Sequence, residues 1–298
     1  MGLKPSALAG WSLFVLLLFL SAFYRLTGHL LALPGAWGAR VLVALAELIA
    51  YLGAAILLRR SARGLSLRRR KFAPPRVYGS FVLLTAVTTA LGVFLLHVVL
   101  ARMTGTGFRG LSALYPMLTR HATVPPGLTL LCLVVLPALV EEAFLRGPLF
   151  SLYESHGTAV AVLVTAVAMP MLAVYPSAAP ALLLMGLVSG MLAYDTGALW
   201  PGMLTGILSR AALYAGDLIY ASEALAGKTV FFVAAAALCF LVFLFSLLRC
   251  TEGLLKDEIL EHFAKGPARA AENGWNALSA FGTLCFLVLY SIRLVSVL

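Results

Sequence analysis

The chain alternates long apolar runs with short polar clusters, and the run lengths carry most of the fold information. Apolar stretches occur near Ala7–Tyr24, Trp37–Leu58, Val77–Ala101, Pro126–Leu145, Thr158–Tyr175, Ala179–Tyr194, Leu199–Tyr214, Thr229–Leu248 and Trp275–Val297. Most reach the roughly 17–25 residues that a tilted helix needs to cross a bilayer. The two near Ala179 and Leu199 are short and are separated only by Asp195-Thr196-Gly197. The pattern predicts an all-α, polytopic transmembrane helical bundle of eight or nine spans.

Composition supports this reading and excludes a soluble domain. Hydrophobic residues make up 62% of the chain and charged residues 11%, against about 25% charged in a soluble domain. Mean hydropathy is +0.99. The net charge of +10 comes largely from Arg59, Arg60, Arg63, Arg68, Arg69, Arg70, Lys71 and Arg76, with no acid between Glu47 and Glu141. A short basic loop between spans belongs on the cytoplasmic side. Loop 59–76 is therefore expected inside, with the N-terminus and the loop after Arg146, in a prokaryotic inner (cytoplasmic) membrane. The loop Arg102–Thr123 then falls outside although it carries Arg102, Arg109 and Arg120. The basic run suits anionic lipid headgroups, and no soluble domain exists to present it to nucleic acid.

Lys4 ahead of the first apolar run, with no small-residue cleavage site after it, reads as an uncleaved first helix. Cys132, Cys239, Cys250 and Cys285 form no CxxC pair, so neither a disulfide framework nor a metal site is expected. In segment 251–273, Leu255, Ile259, Leu260 and Phe263 fall at helical spacing opposite charged residues, which suits a cytoplasmic interfacial helix. Three regions result: N-terminal helices over 1–124, a core over 125–215 and C-terminal helices over 216–298.

The candidate chemistry lies in Glu141-Glu142-Ala143-Phe144-Leu145-Arg146, at the end of a segment that is otherwise almost wholly apolar from Leu128 to Val140. Each ionisable group in a bilayer costs about 2.5–3.5 kcal/mol on the mildest insertion scale, so three kept together call for pairing or a site. Glu142 and Arg146 are four apart and face each other on a helix. Glu141 lies about 100° round the helix and has no sequence-local partner. Gly147-Pro148 reads as a helix end, with Arg146 suited to the last turn. A carboxylate withdrawn from water can act as a general base on water, and attack on a peptide carbonyl then needs oxyanion donors from neighbouring helices. Other ionisable candidates inside the membrane are Glu47, expected to make a helix–helix hydrogen bond, and His97, expected to be a packing residue. His121 and His156 fall in loops, and no HExxH spacing appears.

EExxxR at the end of a membrane helix, followed by Gly-Pro-Leu-Phe, closely resembles the first motif of the CAAX-processing and bacteriocin-processing (CPBP) membrane glutamic proteases. Gly186 to Pro201, with Thr196-Gly197-Ala198-Leu199-Trp200, resembles that family's glycine-containing helix and the turn after it. The resemblance spans about Pro126 to Ala212. It implies a CPBP-like core, with Glu141 activating water and Glu142 and Arg146 supporting the site as the catalytic set. No cofactor or metal is implied.

The chain departs from the family at the remaining motifs. FxxxH should fall on the helix after Thr158, which puts Met169 at the aromatic position and Ala173 at the histidine. HxxxN should follow Leu199-Trp200, which puts Gly206 at the histidine and Arg210 at the asparagine. No histidine occurs between His156 and His262. Arg210 would pair with a carboxylate rather than serve an oxyanion. The resulting expectation is a proteolytically inactive homologue that binds a membrane peptide, a lipoprotein or a partner subunit. The alternatives are an active intramembrane endopeptidase with a rearranged site, using Glu141 with Arg210, Thr205 or His97, and a structural subunit of a transporter or other membrane complex. Gly186 and Gly190 form a GxxxG pattern suited to helix contacts.

Overall fold

The computed structural model describes residues 5–31, 37–62, 70–72, 79–105, 108–115, 125–173, 178–221, 237–245, 248 and 270–297. Nearly all of them are helical, as expected where no water is present to satisfy backbone groups. The elements are α1 (Pro5–Leu31), α2 (Trp37–Ser61), α3 (Gly79–Thr104), the single turn α4 (Leu111–Leu114), α5 (Pro126–Glu154), α6 (Thr158–Leu172), α7 (Ala179–Thr196), α8 (Trp200–Ala221), α9 (Ala270–Leu278) and α10 (Phe281–Val297). Residues 237–245 are also helical. Five described helices are long and apolar enough to cross a membrane: α1, α2, α3, α5 and α7. Helix α8 has 22 residues and carries Arg210 and Asp217. The chain is an integral membrane, all-helical protein.

Helix α5 is the centre of the bundle. Its most apolar window is 61% buried, against 39–50% in the other four. It packs on α2 and α8, while α3 packs on α8 and α7, α6 on α7, and α1 on α2 and α10. Outward-facing apolar side chains such as Phe19, Leu45, Ile49, Leu83 and Leu163 are exposed, as lipid-facing positions should be.

One expectation about helix ends holds and one needs correction. The Gly147-Pro148 pair breaks the helix as its residues suggest: Gly147 leaves the helical region at ψ −111°, and a short second helical piece runs on from the kink to Glu154. The Ser151 hydroxyl donates to the Gly147 carbonyl at 3.0 Å, which satisfies a backbone group freed by the break. The expected C-terminal span over 275–297 is instead divided at Ser279-Ala280 into α9 and α10, where α10 closes tightly on α1. The amphipathic stretch 251–269, His121 and most of loop 59–76 lie outside the described residues.

Small residues set the closest helix approaches. A Cβ at Gly186 would lie 2.9 Å from Ala166 Cα and one at Gly190 3.2 Å from Val162 Cγ1, so the GxxxG face of α7 is where α6 docks. At the α1–α10 crossing, a Cβ at Gly282 would lie 2.5 Å from the Trp11 nitrogen and 2.8 Å from the Ala7 carbonyl. Backbone atoms cannot yield as a flexible side chain can. Gly282→Leu is expected to cost about 1–3 kcal/mol by overpacking, read as a lower unfolding temperature in detergent. Gly53→Ala, which meets open space, should not lower it.

Candidate functional site

Helix α5 delivers Glu141, Glu142 and Arg146, and the helical repeat sends the two acids to different places. Arg146 is fully buried and Glu142 almost so. The Arg146 Nε meets Glu142 Oε2 at 3.1 Å. The same guanidinium donates to Thr165 Oγ1 on α6, and to the Gly186 carbonyl at 2.7 Å and Ser189 Oγ at 2.8 Å on α7. Ser189 in turn donates to the second oxygen of Glu142 at 3.0 Å. One buried cation thus fastens α5, α6 and α7 together. Gly202 brings α8 against this unit, since a Cβ there would fall 2.5 Å from Glu142 Oε2.

Glu141 turns toward a cavity. Its Oε2 accepts from Arg210 Nη2 on α8 at 2.6 Å, with Arg210 side-chain exposure at 1% and Glu141 at 10%. Lining the same cavity are Tyr24 from α1, Glu47 and Tyr51 from α2, Tyr115, and Met169 and Ala173 at the end of α6. The volume open to the centre of a water molecule is about 30 Å³, room for roughly two waters at 10–15 Å³ each. Glu47 accepts from the Tyr24 hydroxyl at 3.1 Å and from the Tyr115 hydroxyl at 3.3 Å. Tyr115 is delivered by a hook over 108–115, which Asp217 of α8 holds through the Gly110 and Ser112 backbone N–H groups, each at 2.8 Å.

The sequence-predicted positions divide accordingly. Met169, Ala173 and Arg210 line the cavity with Glu141. Gly206 sits where α8 crosses α5: a Cβ there would lie 3.2 Å from Ala138 Cβ and 3.8 Å from Arg210 Nη1. Thr205 bonds back to the Pro201 carbonyl at 2.9 Å. His97 Nδ1 lies 3.1 Å from the Val93 carbonyl, and its ring packs on Phe108. Neither Thr205 nor His97 lines the cavity. Sequence reasoning missed the three tyrosines, because hydroxyls on α1, α2 and the hook carry no spacing that links them to α5. The local signal for Tyr115 was the glycine at Gly110, whose missing Cβ lets the hook approach the Leu213 carbonyl.

A second anchor also escaped notice. Arg70, from the basic loop, has a side chain only 1% exposed. It donates to the Ala193 carbonyl at 3.0 Å and the Arg146 carbonyl at 3.4 Å, and pairs with Glu154 at 3.4 Å. Its guanidinium also lies 4.1 Å from the centre of the Phe150 ring. The adjoining backbone runs beside the turn after α7, with Lys71 N to Gly197 O at 3.0 Å and Leu199 N to Lys71 O at 2.9 Å. Residues 70–72 are thus strapped onto the end of the core where α5 finishes.

Chemically, the cavity brings together two carboxylates, one guanidinium and three phenols. It has room for water beside Glu141, but one carboxylate oxygen is already engaged by Arg210. Residues 123–212 match the family described as type II CAAX prenyl endopeptidase, Rce1-like. The match takes in α5, α6, α7 and the first half of α8, and leaves α1, α2 and the hook outside it. No curated protein and no solved structure matches the chain.

The Arg146 unit supplies a stability test. Arg146→Met strands Glu142 in a sealed site, and breaking a buried pair in this way costs about 3–5 kcal/mol. Ser189→Ala removes one bridging hydroxyl, for about 1–3 kcal/mol. Thermal unfolding of the purified variants in detergent should rank them in that order, both below wild type.

Proposed function

We propose that this Rce1-like membrane bundle is a proteolytically inactive homologue that holds a membrane-associated peptide, lipoprotein or partner segment in the cavity beside Glu141. The observation that carries this reading is the 2.6 Å ion pair between Arg210 and Glu141, with Ala173 on the same cavity wall. In the family the resemblance points to, histidine and asparagine donors would face the first glutamate. Here the positions read Ala173, Gly206 and Arg210. Loss of one oxyanion donor costs about 10²–10³ in rate, and here three donor positions have changed together. The close Gly206–Ala138 approach favours the same reading, because a side chain at 206 would meet Ala138 Cβ at 3.2 Å and need its neighbour to give way. The arginine content of loop 59–76 supports placing the strapped face, with Arg70 and the end of α5, on the cytoplasmic side.

A working peptidase with a rearranged site is the second reading. Tyr51 favours it, as a hydroxyl lining the cavity that holds Glu141. One experiment separates the two: purified protein in liposomes, incubated with membrane peptides and read by mass spectrometry. The expected outcome is intact peptide that photo-crosslinks to wild type, with crosslinking falling about tenfold in the cavity-filling variant Ala173→Phe. Cleavage by wild type that disappears in Glu141→Gln would sink the inactive reading.

A further inference from the structure

The matched family segment does not account for the whole cavity. Glu47 comes from α2, outside residues 123–212, yet it lines the same cavity as Glu141 and Arg210. Glu142 and Arg146 neutralise each other in their own sealed unit. Two carboxylates and one guanidinium line the cavity, and Arg293 of α10 lies within electrostatic reach of its Tyr51 wall. Both Glu47 oxygens accept phenol hydroxyls, and a carboxylate offers about four acceptor sites, so capacity for further donors remains.

Arg210 adds an independent observation that points to a ligand. Its residue exposure is 1%, and only Nη2 is engaged, by Glu141. Nε and Nη1 are buried without a hydrogen-bond partner among the described residues. Stranded donors of this kind cost about 1–3 kcal/mol each. The site can therefore take a further donor at Glu47 and an acceptor oxygen at Arg210. A peptide amino terminus carries both, an ammonium and the carbonyl two bonds away. The ammonium brings three N–H donors for the spare acceptor sites of Glu47. Tyr24, Tyr51 and Tyr115 on the walls add an aromatic surround that attracts a cation.

We propose that the cavity recognises the free amino terminus of a membrane-embedded peptide, with Glu47 taking the ammonium and Arg210 the adjacent carbonyl oxygen. This rests on the ligand-binding reading of the cavity and gives it a chemical specificity, with Glu47 as the discriminating residue.

The test uses the full chain in phosphatidylcholine nanodiscs and a short leucine–alanine peptide, prepared with a free or an acetylated amino terminus. Wild type should bind the free form about tenfold more tightly. Glu47→Gln should bind both forms with the weaker, acetylated-peptide affinity, and retention of that affinity shows the variant is folded. Equal binding of both forms by wild type overturns the amino-terminus inference while leaving a ligand cavity, and is the outcome expected of a proton held on Glu47. No binding of either form overturns both readings. Displacement of the peptide by phosphatidylethanolamine would assign the site to a lipid ammonium and overturn the peptide assignment.

Discussion

Sealing a guanidinium from water is the constraint that organises the middle of this bundle. Arg146 has no exposed surface, so every donor it carries must be met from protein. The partners come from Glu142 on its own helix, Thr165 on α6, and Gly186 and Ser189 on α7. Those partners can converge only if α6 and α7 lie close together, which the glycines at 186 and 190 permit. Small residues and a buried cation are thus one device: the first allows the approach, and the second makes it costly to undo.

The neighbouring carboxylate shows how a single helical step separates architecture from a site. Glu142 is locked between Arg146 and Ser189, while Glu141 looks into a cavity whose other walls come from α1, α2, α6, α8 and the hook. Arg210 compensates Glu141 but keeps spare donors. The cavity is therefore a composite. Its α5, α6 and α8 walls lie in the segment that matches the Rce1-like family, and its Glu47 and tyrosine walls come from the helices and hook ahead of that segment.

The membrane fold was legible because run length and hydropathy read directly as helices, and the Glu142–Arg146 pair because spacing of four puts two side chains on one face. The helix-to-cavity assignment of Met169, Ala173 and Arg210 was reachable only through the motif order of a family. Glu47, Tyr24 and Tyr115 could not be brought together by any local rule, since the hook that delivers Tyr115 depends on Asp217 more than a hundred positions later. Gly147-Pro148 was legible for the opposite reason: the break is local, and Gly147 leaves the helical region where the pair says it should.

The pairing of α1 with α10 has a consequence for the order in which the molecule is built. Gly282 is synthesised about 270 residues after Gly10, against which it packs. At about 5–20 residues per second, α1 waits roughly 10–60 s in the membrane before its closest partner exists. Through that interval the Gly10 face stands open to lipid or to other helices. A nascent chain of this protein is therefore most vulnerable to wrong helix partners at its first helix, and the bundle closes only when α10 arrives.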